Sequence, residues 1–271
     1  MTQLQNRLLQ MFRWLHEFCA ERGLRYYMLG GTMLGAVRHK GFIPWDDDID
    51  VGMPRSDYEK LEQFLREETN ERYRLETPRT EAADYFYPFS KLYDTQTTLI
   101  ENTRVKIKRG IYLDIFPLDG IGNSERESKR NDRPVLWKHN LLLTRVTGIR
   151  AGRSKLKNAA VRAARLIPGS ILDNKKLLLE LEQDCRKYDF DTCLWVGNLV
   201  GAWRFREVMP REYFGEPTLY DFEGQMMYGP QMAEEYLTRL YGDWRKLPPA
   251  EKRVTHHDFI ALDLNHSYLD S

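Results

Sequence analysis

Residues 29–53 read LGGTMLGAVRHKGFIPWDDDIDVGM, and the alternation near the end of this run constrains the fold more than any other feature of the chain. In a strand, side chains two apart share a face. Asp48 and Asp50 therefore point the same way, with Ile49 and Val51 packed behind them. Two carboxylates held side by side repel each other strongly. Burying such a pair without a cation is costly, so a divalent metal is its natural partner.

Upstream, the strand-like YYML over 26–29 runs into Gly30-Gly31-Thr32. Two glycines let backbone N–H groups approach a phosphate, and a helix start just after them adds partial positive charge. A glycine turn alone says little, but followed at this distance by two metal-type aspartates it points to phosphate chemistry. Two metal ions drive in-line phosphoryl transfer by activating the attacking oxygen and stabilising the leaving one. Such a site needs about three carboxylates from different strands, because each hard ion takes several oxygens. Asp114, flanked by Leu113 and Ile115 in IYLDIF, is the candidate third. An Asp in an apolar strand is expensive unless paired; the alternative partner is a buried arginine such as Arg109. Asp119 reads as a loop or capping residue.

Periodicity supplies the surroundings. Leu4, Leu8, Met11, Leu15 and Cys19 recur at helical spacing and predict a helix over 3–22, with Gly23 as its stop. Thr32 is expected to cap a short helix over 33–38. A strand over 49–53 ends at Pro54, and Ser56 to Glu59 have capping-box spacing for a helix over 57–68. Strands are expected over 86–93, 97–101 and 111–116, the last closed by Pro117. Beyond residue 122 the pattern becomes mostly helical, over 126–147, 154–166, 173–188 and 230–241. The fold class is thus α+β: a small mixed sheet flanked by helices, with a largely helical C-terminal half. The division is a core over 1–122 and a helical region over 123–271 packed on it, facing the acceptor or a membrane, the two forming one continuous domain if they share a core.

Composition excludes several classes. No run approaches the roughly 20 apolar residues that span a bilayer, and residues 1–22 lack the pattern of a secretory signal. The three cysteines (Cys19, Cys185, Cys193) have neither metal nor disulfide spacing, which fits a reducing cytoplasm. The net charge of +1 hides an asymmetry: residues 126–176 carry 14 Lys and Arg against Glu127, Asp132 and Asp173, while the rest has 27 basic and 37 acidic residues. Such a segment suits an anionic surface. A calcium loop is excluded, because Asp46, Asp48 and Asp50 would put Val51 where the turn needs Gly.

The run from Leu29 through Met53 resembles the LicD family of the nucleotidyltransferase-fold superfamily, which includes the fukutin-related proteins. The matching residues are Gly30-Gly31-Thr32, Arg38-His39-Lys40-Gly41 and Ile43-Pro44-Trp45-Asp46-Asp47-Asp48-Ile49-Asp50. Weaker matches are Lys91 in PFSKLYD, Asp114 in LDIFPLD, and Tyr241-Gly242-Asp243-Trp244. The resemblance implies a nucleotidyltransferase-like fold. It also implies transfer of a phospho-alcohol, typically phosphocholine from CDP-choline or another CDP-alcohol, onto a sugar of a cell-surface glycan or lipid-linked glycan. Two ions of Mg2+, or Mn2+ in its place, are expected on Asp48, Asp50 and Asp114. Gly30, Gly31, Thr32 and Arg38 would hold the donor diphosphate, Arg38 by a bidentate fork and Lys40 as a weaker candidate. Lys91 would stabilise charge on the transferring phosphate. His257, or its neighbour His256, would assist the acceptor hydroxyl. Trp45 reads as core packing. The expected location is cytoplasmic, at the inner face of the membrane with peripheral association, and no nucleic acid is expected as partner. Rival readings are a nucleotidyltransferase moving NMP to a small molecule, a metal-dependent glycosyltransferase, and a non-catalytic glycan-binding member of the fold.

Overall fold

The computed structural model describes residues 1–68, 70–82, 84–102, 107–146, 158–159, 161–163, 173–255 and 259–270. Helix α1 (Gln3–Glu21) opens with a capping box between Thr2 and Gln5. Its stripe of Leu8, Met11, Phe12, Leu15 and Cys19 is buried, and Gly23 ends it with φ +62. Strand β1 (Tyr27–Met28) leads to α2 (Gly30–His39), and β2 (Asp50–Pro54) leads to α3 (Arg55–Glu67). Then come β3 (Tyr73–Glu76), β4 (Ser90–Asp94), β5 (Thr98–Glu101), β6 (Lys108–Arg109) and β7 (Tyr112–Gly122).

The second half contains α4 (Glu125–Val146), α5 (Asn174–Cys185) and α7 (Ala233–Tyr241), with the short α6 (Arg211–Phe214) before α7. It also carries strands β8 (Trp195–Gly197), β9 (Val208–Pro210), β10 (Thr218–Phe222), β11 (Gln225–Gly229) and β12 (Phe259–Asp263). The fold is α+β, as the pattern predicts, with these short strands set among the helices of the C-terminal half. Of the helix expected over 154–166, the described residues 158–159 and 161–163 are helical.

The main sheet has the order β1-β2-β7-β4-β3, with β8 beside β7 and β9 beside β8. Strands β2 and β7 are parallel, and the other pairs are antiparallel. Strand β7 reaches five residues past Pro117, where sequence reasoning ends it. Pro117 stands opposite Met53 of β2, and the strand then continues because β8 pairs with Asp119 and Gly120. A proline removes one ladder donor but does not end a strand that is held by neighbours on both sides. One hydrophobic core joins α1, the sheet and residues as distant as Phe190, Phe214, Leu237 and Trp244; a second lies between α4, α5 and the end of β7.

Two local expectations are corrected. Helix α3 starts at Arg55 behind Pro54, without a side-chain cap, so Ser56 to Glu59 form no capping box. Asp57 instead takes the Arg25 Nε at 2.6 Å. Asp119 is no loop or cap: it lies within β7, buried, and accepts both Nε and an Nη of Arg55 at 2.8 and 2.7 Å.

Candidate active site

The alternation at the end of the acidic run is realised. Ile49 and Val51 are fully buried, while Asp48 and Asp50 are half-buried on the other face. Parallel pairing sets Asp50 opposite Asp114, and the Asp114 N–H donates to the Ile49 carbonyl at 3.1 Å. Antiparallel pairing of β4 with β7 sets Lys91 opposite Asp114 on the other side. The three elements thus bring Asp48, Asp50, Asp114 and Lys91 together at one place on the sheet.

Lys91 has 2% of its side chain exposed, and its Nζ lies 2.9 Å from Asp114 Oδ1. The Tyr112 and Tyr87 rings face the same ammonium at 3.3 and 4.3 Å from their centroids. The partner of Asp114 is therefore Lys91. Arg109, the alternative considered from sequence, pairs with Glu76 and Asp84.

The glycines act differently from a turn ahead of a helix. Gly30, Gly31 and Thr32 are the first turn of α2 itself, which follows Leu29. Thr32 therefore does not cap the helix. Its hydroxyl accepts the Asp50 N–H at 2.8 Å, locking the strand carrying the carboxylate to the helix start. Gly30 has φ +47, and its N–H donates to the Tyr236 hydroxyl at 3.0 Å. A Cβ on Gly30 would sit 3.6 Å from both Asp50 Oδ2 and the Tyr241 hydroxyl, and one on Gly31 would meet Asp46 Oδ2 at 2.6 Å. The bare backbone thus makes room for carboxylates at a helix N-terminus, where the unsatisfied N–H groups favour negative charge.

Arg38 is committed within the protein. Its Nε donates to His39 Nε2 at 3.0 Å and one Nη donates to the Trp244 carbonyl at 2.9 Å. The Tyr241-to-Trp244 match thereby acquires a structural meaning. Tyr241 brings its hydroxyl beside Asp50, Gly242 leaves the helix with φ +73, and Trp244 holds Arg38. Trp45 is half-buried against the core with the Arg253 guanidinium 5.8 Å from its ring. Asp46 is anchored from α1, since the Gln5 side chain donates to its carbonyl at 2.8 Å. Asp47 accepts the Thr255 hydroxyl at 2.7 Å. His256 and His257 lie outside the described residues.

Electrostatics mark the cluster as short of positive charge. Burial pushes the Asp50 carboxyl well above the usual range, and Asp48, Asp114, Asp46 and Glu207 push it further. Burial also raises Asp114, with Lys91 opposing. Glu207 has no counterpart in the sequence reasoning. It ends a 3-10 turn over Arg204–Glu207, accepts the Trp203 N–H at 2.7 Å, and is pushed up to about 7 by burial against hydrogen bonds from Trp203 and Asn198. A Cβ on Gly201 would lie 1.9 Å from its carboxylate, so the glycine is what admits it. A lone Glu in RFREVMP carries no signal of this role.

Asp50 makes no ion pair with any described cation, and the surrounding donors are carboxylate oxygens, the ligands a hard divalent ion takes. Among the described residues, however, no three acidic, histidine or cysteine side chains converge as a closed ligand set. The arrangement is a charge cluster suited to a cation by its chemistry, with Asp114 turned toward Lys91.

Comparison with known proteins follows the same residues. The domain described as "LicD/FKTN/FKRP, nucleotidyltransferase domain" matches residues 23–139, which contain Asp48, Asp50, Lys91 and Asp114. Lipopolysaccharide cholinephosphotransferase LicD of Haemophilus influenzae is 33% identical over 252 residues, covering 92% of each chain. Ribitol 5-phosphate transferase FKRP of Homo sapiens is 49% identical over 42 residues, 16% of this chain and 8% of that one. Mannosyltransferase regulator 4 of Saccharomyces cerevisiae is 26% identical over 130 residues, 46% of this chain and 11% of that one.

Proposed function

This chain belongs to the LicD family, and from that premise we propose that it transfers a phospho-alcohol, phosphocholine first among them, from a CDP-alcohol to a sugar hydroxyl of a glycan, releasing CMP. The observation that carries the reading is the register of three strands, which sets Asp50 and Lys91 on either side of Asp114 beside the start of α2. A protein that only bound glycan would have no use for a repelling carboxylate group next to a helix N-terminus.

In this reaction the acceptor oxygen forms a bond to the distal phosphorus of the donor, and the bond from that phosphorus to CMP breaks. Asp48, Asp50 and Asp114 would hold one or two divalent cations, Mg2+ or Mn2+. Bound there, such ions would neutralise phosphate charge and polarise the reacting oxygens. The start of α2 would lie against the donor diphosphate, where backbone can approach closely because Gly30 and Gly31 lack side chains. Lys91 opposes the upward push of burial on Asp114 and would add positive charge near the transferring group. Arg38, held by Trp244, closes the far end of the same helix. Glu207, with its carboxyl near neutrality, is suited to take the proton from the acceptor hydroxyl. His257 would assist at the acceptor. The three free cysteines agree with a reducing cytoplasm as the compartment.

The test is a panel of CDP-choline, CDP-ethanolamine, CDP-ribitol and CDP-glycerol, each with a glycan acceptor and Mg2+. Release of CMP and a product heavier by the phospho-alcohol are expected, both abolished by chelation. A product carrying a whole nucleotide would assign the NMP-transfer reading instead.

A further inference from the structure

Helix α4 has two faces of different character. Ser128, Asp132, Val135, His139 and Leu142 are buried, and at helical spacing they form the side that packs toward α5. Arg126, Arg130, Arg133 and Trp137 recur at intervals of four, three and four residues, which places them in one stripe on the opposite side. All four are exposed, Trp137 by 64%. Among the described residues none of the three arginines enters an ion pair, whereas Lys129 pairs with Glu125 and Lys138 with Asp184. The stripe is roughly 16 Å long at the rise of an α-helix. Beyond it in sequence, residues 147–172 add six Lys or Arg and no acid.

We propose that this stripe of α4 seats the protein on an anionic lipid bilayer, the three guanidiniums meeting lipid headgroups and the Trp137 indole entering the interface. Charge complementarity selects an anionic surface. The indole selects a bilayer over a soluble polyanion, because an amphipathic ring largely presented to water gains most at the headgroup boundary. The inner side of the same helix adjoins the candidate site. His139 meets Arg204 at 3.2 Å, and the Lys129 ammonium lies 5.5 Å from the Phe205 ring centroid, within the 3-10 turn that ends at Glu207. Seating α4 on a membrane would thus bring the acceptor side of the site to the bilayer surface, where a lipid-linked glycan presents its sugars. The seating itself does not depend on the reaction assigned above.

The experiment is co-sedimentation of the full chain with unilamellar vesicles of phosphatidylcholine, with and without one third phosphatidylglycerol. Binding is expected only to the anionic vesicles, weakening as salt is raised. Replacing Arg126, Arg130 and Arg133 together by Gln is expected to reduce partitioning about a hundredfold, at roughly fivefold per arginine. Trp137→Ala is expected to reduce binding and to remove quenching by brominated lipid. Thermal melts of both variants should match that of the parent, since all four side chains are exposed. Absence of vesicle binding, unchanged binding by the triple variant, or binding to heparin or single-stranded RNA in preference to anionic vesicles would each overturn the proposal.

Discussion

Asp50 and Asp114 stand opposite each other on the parallel strands β2 and β7, but among the described residues only Asp114 has a cation beside it, the Lys91 ammonium at 2.9 Å. This asymmetry separates the two carboxylates experimentally. Asp50→Asn removes a repelling charge and is expected to leave the melting temperature equal or higher, while turnover falls by about a thousandfold, the scale of losing one transition-state electrostatic contact. Asp114→Asn leaves Lys91 buried without its counter-ion and is expected to cost about 3–5 kcal/mol of stability as well as activity. Denaturant unfolding of both variants beside CMP release decides. Equal destabilisation by the two substitutions would refute the assigned pairing.

Thr32 lies inside α2 and accepts the Asp50 N–H. Thr32→Val keeps the shape and deletes the acceptor, leaving a strand N–H unsatisfied at a cost of about 1–3 kcal/mol. Because that N–H belongs to the residue carrying the key carboxylate, kcat should drop more than stability alone explains. Thr32→Ser should restore both, as urea unfolding and initial rates will report.

Gly31 leaves space for the Asp46 carboxylate, which a Cβ would meet at 2.6 Å. Gly31→Ala is expected to preserve the fold, since alanine suits a helix, while displacing the Asp46 carboxylate and lowering kcat/KM by about a hundredfold. A variant that melts normally and turns over like the parent would show that this close approach has no functional weight.

The raised acids give a definite sign to the pH dependence. Glu207 sits at about 7 in the folded protein, because burial outweighs its hydrogen bonds, against about 4.3 for a free glutamate. Between those values the folded state holds a proton that the unfolded state has released, so stability falls as pH rises from about 4.5 to 7. The raised Asp50 and Asp114 act in the same direction. In metal-free buffer the melting temperature should therefore decline across this window. Glu207→Gln should flatten the decline, and added Mg2+ should raise the melting temperature most at the high-pH end. A slope unchanged by the Gln substitution would place the titration elsewhere.

The site was legible where its chemistry is encoded locally. Asp48-Ile49-Asp50 announces its two faces by alternation, and Asp114 announces itself as a charge in an apolar strand. Helix α1 and its stop at Gly23 follow from spacing and from the freedom of glycine at φ +62. What failed were boundaries settled by neighbours. Pro117 did not close β7, because β2 and β8 hold the strand on either side of it. Thr32 has the chemistry of a helix cap, but β2 offers it a better donor.

The sequence by itself determined the α+β class, the paired aspartates and the family, because alternation, spacing and a contiguous motif survive without knowledge of what packs where. Only the tertiary structure decided that Lys91 pairs with Asp114, that Glu207, from beyond residue 200, comes near enough to Asp50 to raise its carboxyl, and that Asp119 is a buried partner of Arg55. Those pairings join residues 23 to about 160 positions apart, through strand register and the close approach that glycine permits. A one-dimensional pattern contains no term for charges that meet only when strands are laid side by side.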